Sequence, residues 1–186
     1  MKIRPAPALA SLVLLLGGCF KTLAGGGGSA ESFEPPRQVR PEDVAVPQGY
    51  RIEVVATGLT YPTAVVFDSQ GAPVVVEAGY SYGEDFAEPR LLRIGPDGSH
   101  SVLARGERPP WTGAASRDGV IYVAEGGAVG GGRIVRVEPD GRLTALVENL
   151  PSLGDHHTNG PAVAPDGSIY FSVPTTPELV AVPTEK

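Results

Sequence analysis

The sequence predicts an all-β protein made of repeated four-stranded sheets, and three observations support this prediction. The glycines Gly71, Gly119 and Gly167 follow one another at intervals of 48 residues, each between two apolar runs. A second hairpin pattern at residues 90–98 recurs position by position at residues 133–141. The chain contains 25 Gly and 19 Pro, whereas charged residues make up only 19%, which is typical of a turn-rich β protein. Two hairpins in every repeat of about 40–50 residues are typical of the blades of a β-propeller.

Residues 1–19 are predicted to be a signal peptide that ends in a lipidation site. Lys2 and Arg4 provide a positive start, and residues 8–16 form an apolar run that is too short to cross a bilayer. A leucine and two glycines then precede Cys19, a pattern that resembles the lipidation motif of bacterial lipoproteins. Cys19 is the only cysteine, so no disulfide can form within the chain. We therefore expect an exported protein that is anchored by lipid to the periplasmic or outer face of a bacterial membrane. The alternative is an ordinary secretory signal with an incidental cysteine.

Residues 20–46 are predicted to be a flexible tether. They begin with a Gly-rich run at 25–28 and continue as a polar, Pro-containing stretch, and such a composition cannot repay the entropy lost on ordering. The formal net charge of the chain is −6. Because nucleic-acid binding depends on clustered Lys and Arg, nucleic acid is excluded as an expected partner.

Residues 47–173 are predicted to form the sheets. The first type of hairpin has a Gly-centred turn between two apolar runs, which are 64–67 and 74–76, 113–115 and 120–123, and 162–164 and 169–171. Glycine there supplies the positive φ of a tight turn. The second type turns at Pro-Asp-Gly, in which Pro presets φ, Asp caps the backbone and Gly takes the left-handed position.

The repeats add up to about two and a half blades, whereas a closed propeller needs roughly four to eight. The third repeat is expected to stop after its first hairpin. Residues 174–186 contain three prolines and are predicted to be an irregular tail. The sequence thus predicts an incomplete propeller, either a truncated version of a longer protein or one piece of an assembly.

The candidate site is the segment 149–160, which departs from the repeat. It carries Asp155, His156 and His157 just before a predicted inner strand. A carboxylate beside an imidazole can provide a general base and a partner for a substrate hydroxyl. Neighbouring residues of an extended segment point in opposite directions, which disfavours a metal ion shared by both histidines. The alternative is a structural loop whose histidines only donate hydrogen bonds to the backbone.

Two further carboxylates, Glu77 and Glu125, recur at the ends of inner strands, each before a small residue. Strand ends of this kind can face the central channel of a propeller, so a metal-ligand role is conceivable. A residue that recurs with the repeat is more often structural, and this is the interpretation we favour for both.

Residues 150–156, followed by Pro-Asp-Gly at 165–167, resemble the segment around the catalytic histidine of the glucose/sorbosone dehydrogenase family. The resemblance implies a six-bladed propeller that oxidises a sugar with pyrroloquinoline quinone (PQQ) and calcium. It implies that His156 takes the proton of the sugar hydroxyl and that Asp155 helps to hold the substrate. His157 is the alternative base, because Gly160 lies three residues after it, a spacing common in the family.

The same resemblance implies that the cofactor and calcium are bound by residues of later blades, so we expect the 186-residue chain to be inactive by itself. Two other functions stay open. One is a non-catalytic propeller of the NHL type that serves as a binding scaffold, and the other is a gluconolactonase-like metal hydrolase.

Overall fold

Three antiparallel sheets follow one another along the chain in the computed structural model, which describes residues 40–80, 87–127, 130–152, 157–173 and 179–182. Blade 1 consists of β1 Pro62–Phe67, β2 Pro73–Glu77, β3 Arg90–Ile94 and β4 His100–Arg105. Blade 2 consists of β5 Trp111–Arg117, β6 Val120–Glu125, β7 Gly132–Val137 and β8 Leu143–Leu150. Blade 3 consists of β9 Asn159–Val163, β10 Ile169–Ser172 and β11 Leu179–Val182.

The turns form where the glycine pattern predicts them. Gly71, Gly119 and Gly167 have φ values of 76°, 80° and 94°, a region that side chains with a Cβ rarely adopt. The glycines that end the two Pro-Asp-Gly turns, Gly98 and Gly141, have φ values of 78° and 83°. The local conformation of each hairpin is therefore encoded by its own residues.

The three sheets are arranged as neighbouring blades. In every sheet the strands lie side by side in chain order, and the first strands contact one another from blade to blade, β1 with β5 and β5 with β9. First strands gathered on the inside with outer strands radiating away are the arrangement of a β-propeller. The predicted fold class, an all-β incomplete propeller, is confirmed.

The cores lie between the blades. One core packs blade 1 against blade 2, and its fully buried members are Val74, Val76, Leu91, Trp111, Val123 and Val135. A second core joins blade 2 to blade 3 through Ala124, Ile134, Ile169, Phe171 and Val173. Burial of a Val, Leu, Ile or Phe side chain stabilises a fold by roughly 1.5–3 kcal/mol. Each blade thus depends on its neighbour for its stability.

Strand β11 lies within the segment that the sequence predicts to be an irregular tail. It pairs with β10 over Leu179–Val182, with Phe171 opposite Val180. The prolines that suggested an irregular tail are at 174, 177 and 183, so they flank the run Leu-Val-Ala-Val rather than interrupt it. Blade 3 therefore has three strands where the sequence predicted two.

Between residues 40 and 61, the part before β1 that the structure describes, the chain carries one 3-10 turn at Pro41–Asp43 and otherwise no helix or strand. Across the ranges that the structure describes, no helix has both the length and the hydrophobicity needed to cross a bilayer. The predicted signal peptide and Cys19 lie outside the described residues.

Candidate functional site: the loop face around His157

The connections after the second and fourth strands of each blade lie on the same face of the propeller, because each blade is an antiparallel meander. This loop face carries Tyr80 from the β2–β3 connection, Pro110 from β4–β5, Gly126 from β6–β7, and Ser152 and His157 from β8–β9.

His157 is buried within the loop face, with 5% of its surface exposed. Its Nδ1 lies 3.0 Å from the hydroxyl of Ser152. Its ring meets the ring of Tyr80 edge-on, with 6.0 Å between the two centroids. Tyr80 belongs to blade 1, whereas His157 leads into blade 3, so the histidine links connections that are 77 positions apart in the chain.

The backbone around His157 is packed too closely for larger residues. A Cβ added to Gly126 would lie 2.7 Å from the Cβ of His157 and 2.8 Å from the carbonyl oxygen of Pro110. The N–H of Gly126 donates to that same carbonyl oxygen at 2.6 Å. The connections before blade 2 and before blade 3 are thus both fixed against the β6–β7 loop.

Thr158 continues this anchor toward β9. It is fully buried, and its carbonyl oxygen accepts a hydrogen bond from the hydroxyl of Thr112 at 2.5 Å. A Cβ added to Gly132 would lie only 2.2 Å from the Thr158 hydroxyl oxygen. The end of the β8–β9 loop is therefore held by blade 2 before blade 3 begins.

Glu77 is a structural carboxylate. It is 1% exposed, and its Oε1 accepts from the N–H of Thr60 at 2.6 Å. Its Oε2 accepts from the Nε of Arg90 at 2.7 Å, and Arg90 lies directly opposite Glu77 in the β2–β3 ladder.

Glu125 repeats this arrangement in blade 2. It is fully buried, and its Oε1 accepts from the indole N–H of Trp111 at 3.1 Å. Its Oε2 accepts from the Nε of Arg133, which again lies opposite it in the ladder. With both oxygens of each carboxylate engaged, these two glutamates hold the inner strand ends rather than a metal ion.

The sequence-predicted site residues are only partly covered by the structure. Asp155 and His156 lie outside the described residues, whereas His157 is described and is buried. Sequence reasoning missed Tyr80 and Ser152 as neighbours of His157. Ser152 is part of the motif that carries the resemblance, but Tyr80 is brought to the loop by blade packing alone.

A calcium site needs several oxygen ligands, and PQQ, a tricarboxylate, needs cationic partners. Within the described ranges, no group of three His, Cys, Asp or Glu side chains lies close enough to hold a metal ion. The guanidiniums of Arg90 and Arg133, which could otherwise pair with the carboxylates of PQQ, form ion pairs with buried glutamates. The described part of the chain therefore does not supply a site that fits either group.

The fold and this loop face define the class of the protein, an incomplete β-propeller. No protein-family model and no curated protein matches the chain. Among solved structures, a protein from Thermus thermophilus named as an oxidoreductase (glucose dehydrogenase) is 22% identical, with a TM-score of 0.54 over 67% of this chain and 41% of that one. A gluconolactonase from Xanthomonas campestris is 20% identical, with a TM-score of 0.54 over 72% of this chain and 48% of that one. The chain thus spans less than half the length of either protein, and likeness at this identity establishes the fold alone.

Proposed function

We propose that the chain is part of an exported sugar-oxidising propeller in which His156 removes the proton from a sugar hydroxyl. The observation that carries the proposal is the position of its neighbour His157, which fixes the β8–β9 loop on a face where connections of all three blades meet. Loops that converge on one face of a rigid scaffold are where propellers and other folds place their chemistry.

His157 is assigned a positioning role, because it is buried and its Nδ1 is engaged with Ser152. That leaves His156 as the candidate base and Asp155 as the partner of a second substrate hydroxyl. An imidazole with an ordinary pKa of about 6.5 is largely unprotonated at pH 7, as a base must be, and general base catalysis contributes roughly 10²–10⁴-fold to a rate.

The electron acceptor is proposed from the family resemblance alone. PQQ bound with calcium would accept the hydride from the sugar carbon, and its binding residues are expected in blades beyond the three described here. The oxidoreductase from Thermus thermophilus supports a glucose-type substrate only through its shared fold and its name.

Lactone hydrolysis is the second candidate, since the gluconolactonase from Xanthomonas campestris has the same TM-score. Such a hydrolase needs carboxylates that are available to a metal ion. Glu77 and Glu125 are occupied by Arg90 and Arg133, which favours the oxidation proposal over this one.

The activity test uses the protein with its ring complete, whether a longer polypeptide or an assembly supplies the remaining blades. We expect aldoses to reduce an artificial electron-accepting dye only when PQQ and calcium are added. His156→Ala is expected to lower kcat by about 10²–10⁴-fold. The matched control is His100→Ala, because His100 is exposed at the start of β4, next to a turn on the opposite face.

Three outcomes would contradict the proposal. Unchanged kcat in His156→Ala would remove the site assignment. Dye reduction without PQQ would remove the quinoprotein assignment. Metal-dependent lactone hydrolysis in the absence of any dye reduction would favour the hydrolase.

Membrane anchoring is proposed from Cys19. In a bacterial host, the chain should incorporate radiolabelled palmitate and sediment with membranes, and Cys19→Ser should abolish the labelling and release the protein. A chain that is labelled equally after the substitution, or exported without lipid, would leave only the ordinary secretory signal.

A further inference from the structure

A cleft opens between blade 1 and blade 2 on the face opposite the loop face. Its lining comes from the β1–β2, β5–β6 and β7–β8 turns and from adjoining residues of β3, β4 and β7. These turns follow the first and third strands of each blade, and an antiparallel meander sends them to the face opposite the other connections. The cleft has a volume of about 710 Å³, a size at which many proteins bind small molecules.

The cleft lies where one residue departs from the repeat. At the boundary between blades 2 and 3, the guanidinium of Arg117 donates to the carbonyl oxygens of Ala164 and Pro165 and so bridges the two blades. The residue of blade 1 at the 48-residue offset from Arg117 is Ser69, which lines the cleft. A serine side chain is too short to make the same bridge, so the boundary between blades 1 and 2 stays open on this face.

Close contacts between the two blades fix the walls of the cleft. A Cβ added to Gly119 of blade 2 would lie 3.1 Å from the Cβ of Ser69 in blade 1. A Cβ added to Gly141 of blade 2 would lie only 2.5 Å from the carbonyl oxygen of Leu103 in blade 1. The cleft is therefore formed before any ligand arrives, as small-molecule sites usually are.

The floor of the cleft is apolar. It includes Leu103, Val120 and Val137, of which Leu103 and Val137 also pack against the first core. All three side chains are half-buried. The C–H surface of a ligand that packs on this floor would be removed from water, which favours binding.

Two guanidiniums in the lining are held in place and still have donors to offer. Arg93 donates through Nε to Asp68 and through Nη2 to Gln70. Arg136 donates through Nε and Nη2 to Glu138. Within the described residues, neither Nη1 group has a hydrogen-bond acceptor. A guanidinium has five N–H donors, so both side chains can donate to a ligand without releasing their carboxylates.

The lining also offers acceptors, and its charges cancel. The hydrogen bonds to Glu138 all go to its Oε1, which leaves Oε2 to accept from a ligand. The hydroxyl of Ser69 can both donate and accept. The charged residues of the lining are two arginines and two carboxylates, so the cleft has no net charge that would favour an anion. Donors and acceptors above an apolar floor suit a neutral molecule with several hydroxyls and a C–H face.

We propose that this cleft binds a neutral saccharide, independently of the reaction proposed for the loop face. Sugar hydroxyls accept from Arg93 and Arg136 and donate to Glu138, while a face of C–H bonds packs on Val137. Each hydroxyl can donate and accept at once, so one ring can engage both kinds of group. The site requires only blades 1 and 2, and both are present in the 186-residue chain. Its test therefore does not depend on the outcome of the activity test.

The test is a titration of the 186-residue chain with maltose or cellobiose in mild detergent, followed by two-dimensional amide NMR. We expect a Kd of about 0.1–10 mM, as suits a few net hydrogen bonds in an open cleft. The amide signals of Ser69, Gln70 and Gly119 should shift as the saccharide is added. Those of Gly126 and Thr158, on the loop face, should not.

Ser69→Arg places in blade 1 the residue that bridges blades 2 and 3. Its guanidinium is expected to reach the carbonyl oxygens of Ser116 and Arg117, the equivalents of Ala164 and Pro165. The bridge closes the cleft and should weaken saccharide binding at least about tenfold. The matched control is Ser172→Arg, the same exchange at an exposed position of β10 in blade 3, which should leave the Kd unchanged.

Gln70→Ala is a second variant that does not fill the cleft. Gln70 is exposed, so its loss should not affect folding, and the missing amide should weaken binding by about three- to tenfold, the effect of one hydrogen bond.

Four outcomes would overturn the proposal. One is the absence of shifts at positions 69, 70 and 119 with both disaccharides, and another is a set of shifts confined to the loop face. A third is a Kd that neither Ser69→Arg nor Gln70→Ala changes. The fourth is tighter binding of succinate or sulfate than of either disaccharide at the same amides, because the cleft would then be an anion site.

Discussion

Replacing Glu125 by alanine removes a fully buried carboxylate. The guanidinium of Arg133 then loses this partner, although only 18% of the Arg133 side chain is exposed to water. The indole N–H of Trp111 also loses its acceptor in a fully buried position. Breaking a buried ion pair from one side costs about 3–5 kcal/mol, and the half-exposed carboxylate of Glu148, 3.8 Å from the Arg133 guanidinium, compensates the remaining charge only in part. We expect Glu125→Ala to lower the free energy of unfolding by an amount in this range.

The equivalent change in blade 1 provides an internal comparison. Glu77 is similarly buried, but the side chain of Arg90 is 30% exposed, so the orphaned guanidinium can be hydrated more easily. We therefore expect Glu77→Ala to cost about 1–3 kcal/mol, less than its counterpart. Glu88→Ala removes an ion pair with Arg105 in which both side chains are about half exposed, and should cost no more than about 0.5 kcal/mol.

Urea unfolding followed by far-UV circular dichroism measures these differences. With a slope of about 2 kcal/mol per molar urea, a loss of about 4 kcal/mol lowers the midpoint by about 2 M. Fluorescence of Trp111, the only tryptophan, reports on the same boundary between blades. The reasoning would be refuted by a Glu125→Ala midpoint close to that of Glu88→Ala. It would also be refuted if calcium raised the wild-type midpoint but not that of Glu125→Gln, because Glu125 would then be a metal ligand.

Two further changes test the loop face and the ion pairs between strands. Gly126→Ala places a methyl group 2.7 Å from the Cβ of His157 and should cost about 1–3 kcal/mol by overpacking, which urea unfolding measures; an unchanged midpoint would mean that the two connections do not touch. The Arg93 guanidinium donates a 2.6 Å hydrogen bond to Asp68 and holds the pKa of that carboxyl below its ordinary 3.8. The stability from this pair is complete above the ordinary pKa and is lost as pH falls through the lower pKa of the folded state. Asp68→Asn should therefore lower the free energy of unfolding at pH 7 and make that free energy fall less steeply as the pH is lowered. If the free energies of unfolding of the wild type and the variant changed with pH in parallel, the ion pair would not have this role.

The hairpins could be predicted because their determinants are local. A glycine with positive φ between two apolar runs defines its own turn, and the 48-residue interval repeats that turn in three blades. The short strand β11 could not be found in this way. It has four residues between prolines, and only its ladder with β10 makes it a strand.

The roles of repeated charged residues depend on tertiary neighbours. Arg90 and Arg133 each pair with the equivalent glutamate of their own blade, because the ladder register is the same in both blades. This holds although the connection before Arg133 is five residues shorter. Arg93 and Arg136 also recur, yet Arg93 pairs with Asp68 and Arg136 with Glu138. Their surroundings differ because the equivalent of Asp68 in blade 2 is a serine.

The sequence by itself determined the repeated hairpins, their turn geometry and the segment that interrupts the repeat, since these follow from the order of residues along a few turns of chain. Only the tertiary structure decided that His157, the second of two adjacent histidines, is buried beside Tyr80 and Ser152. It likewise decided that Glu77 and Glu125 are occupied by arginines. Burial and pairing are set by residues from neighbouring strands and blades, and the spacing of residues along one chain does not specify which of them will meet.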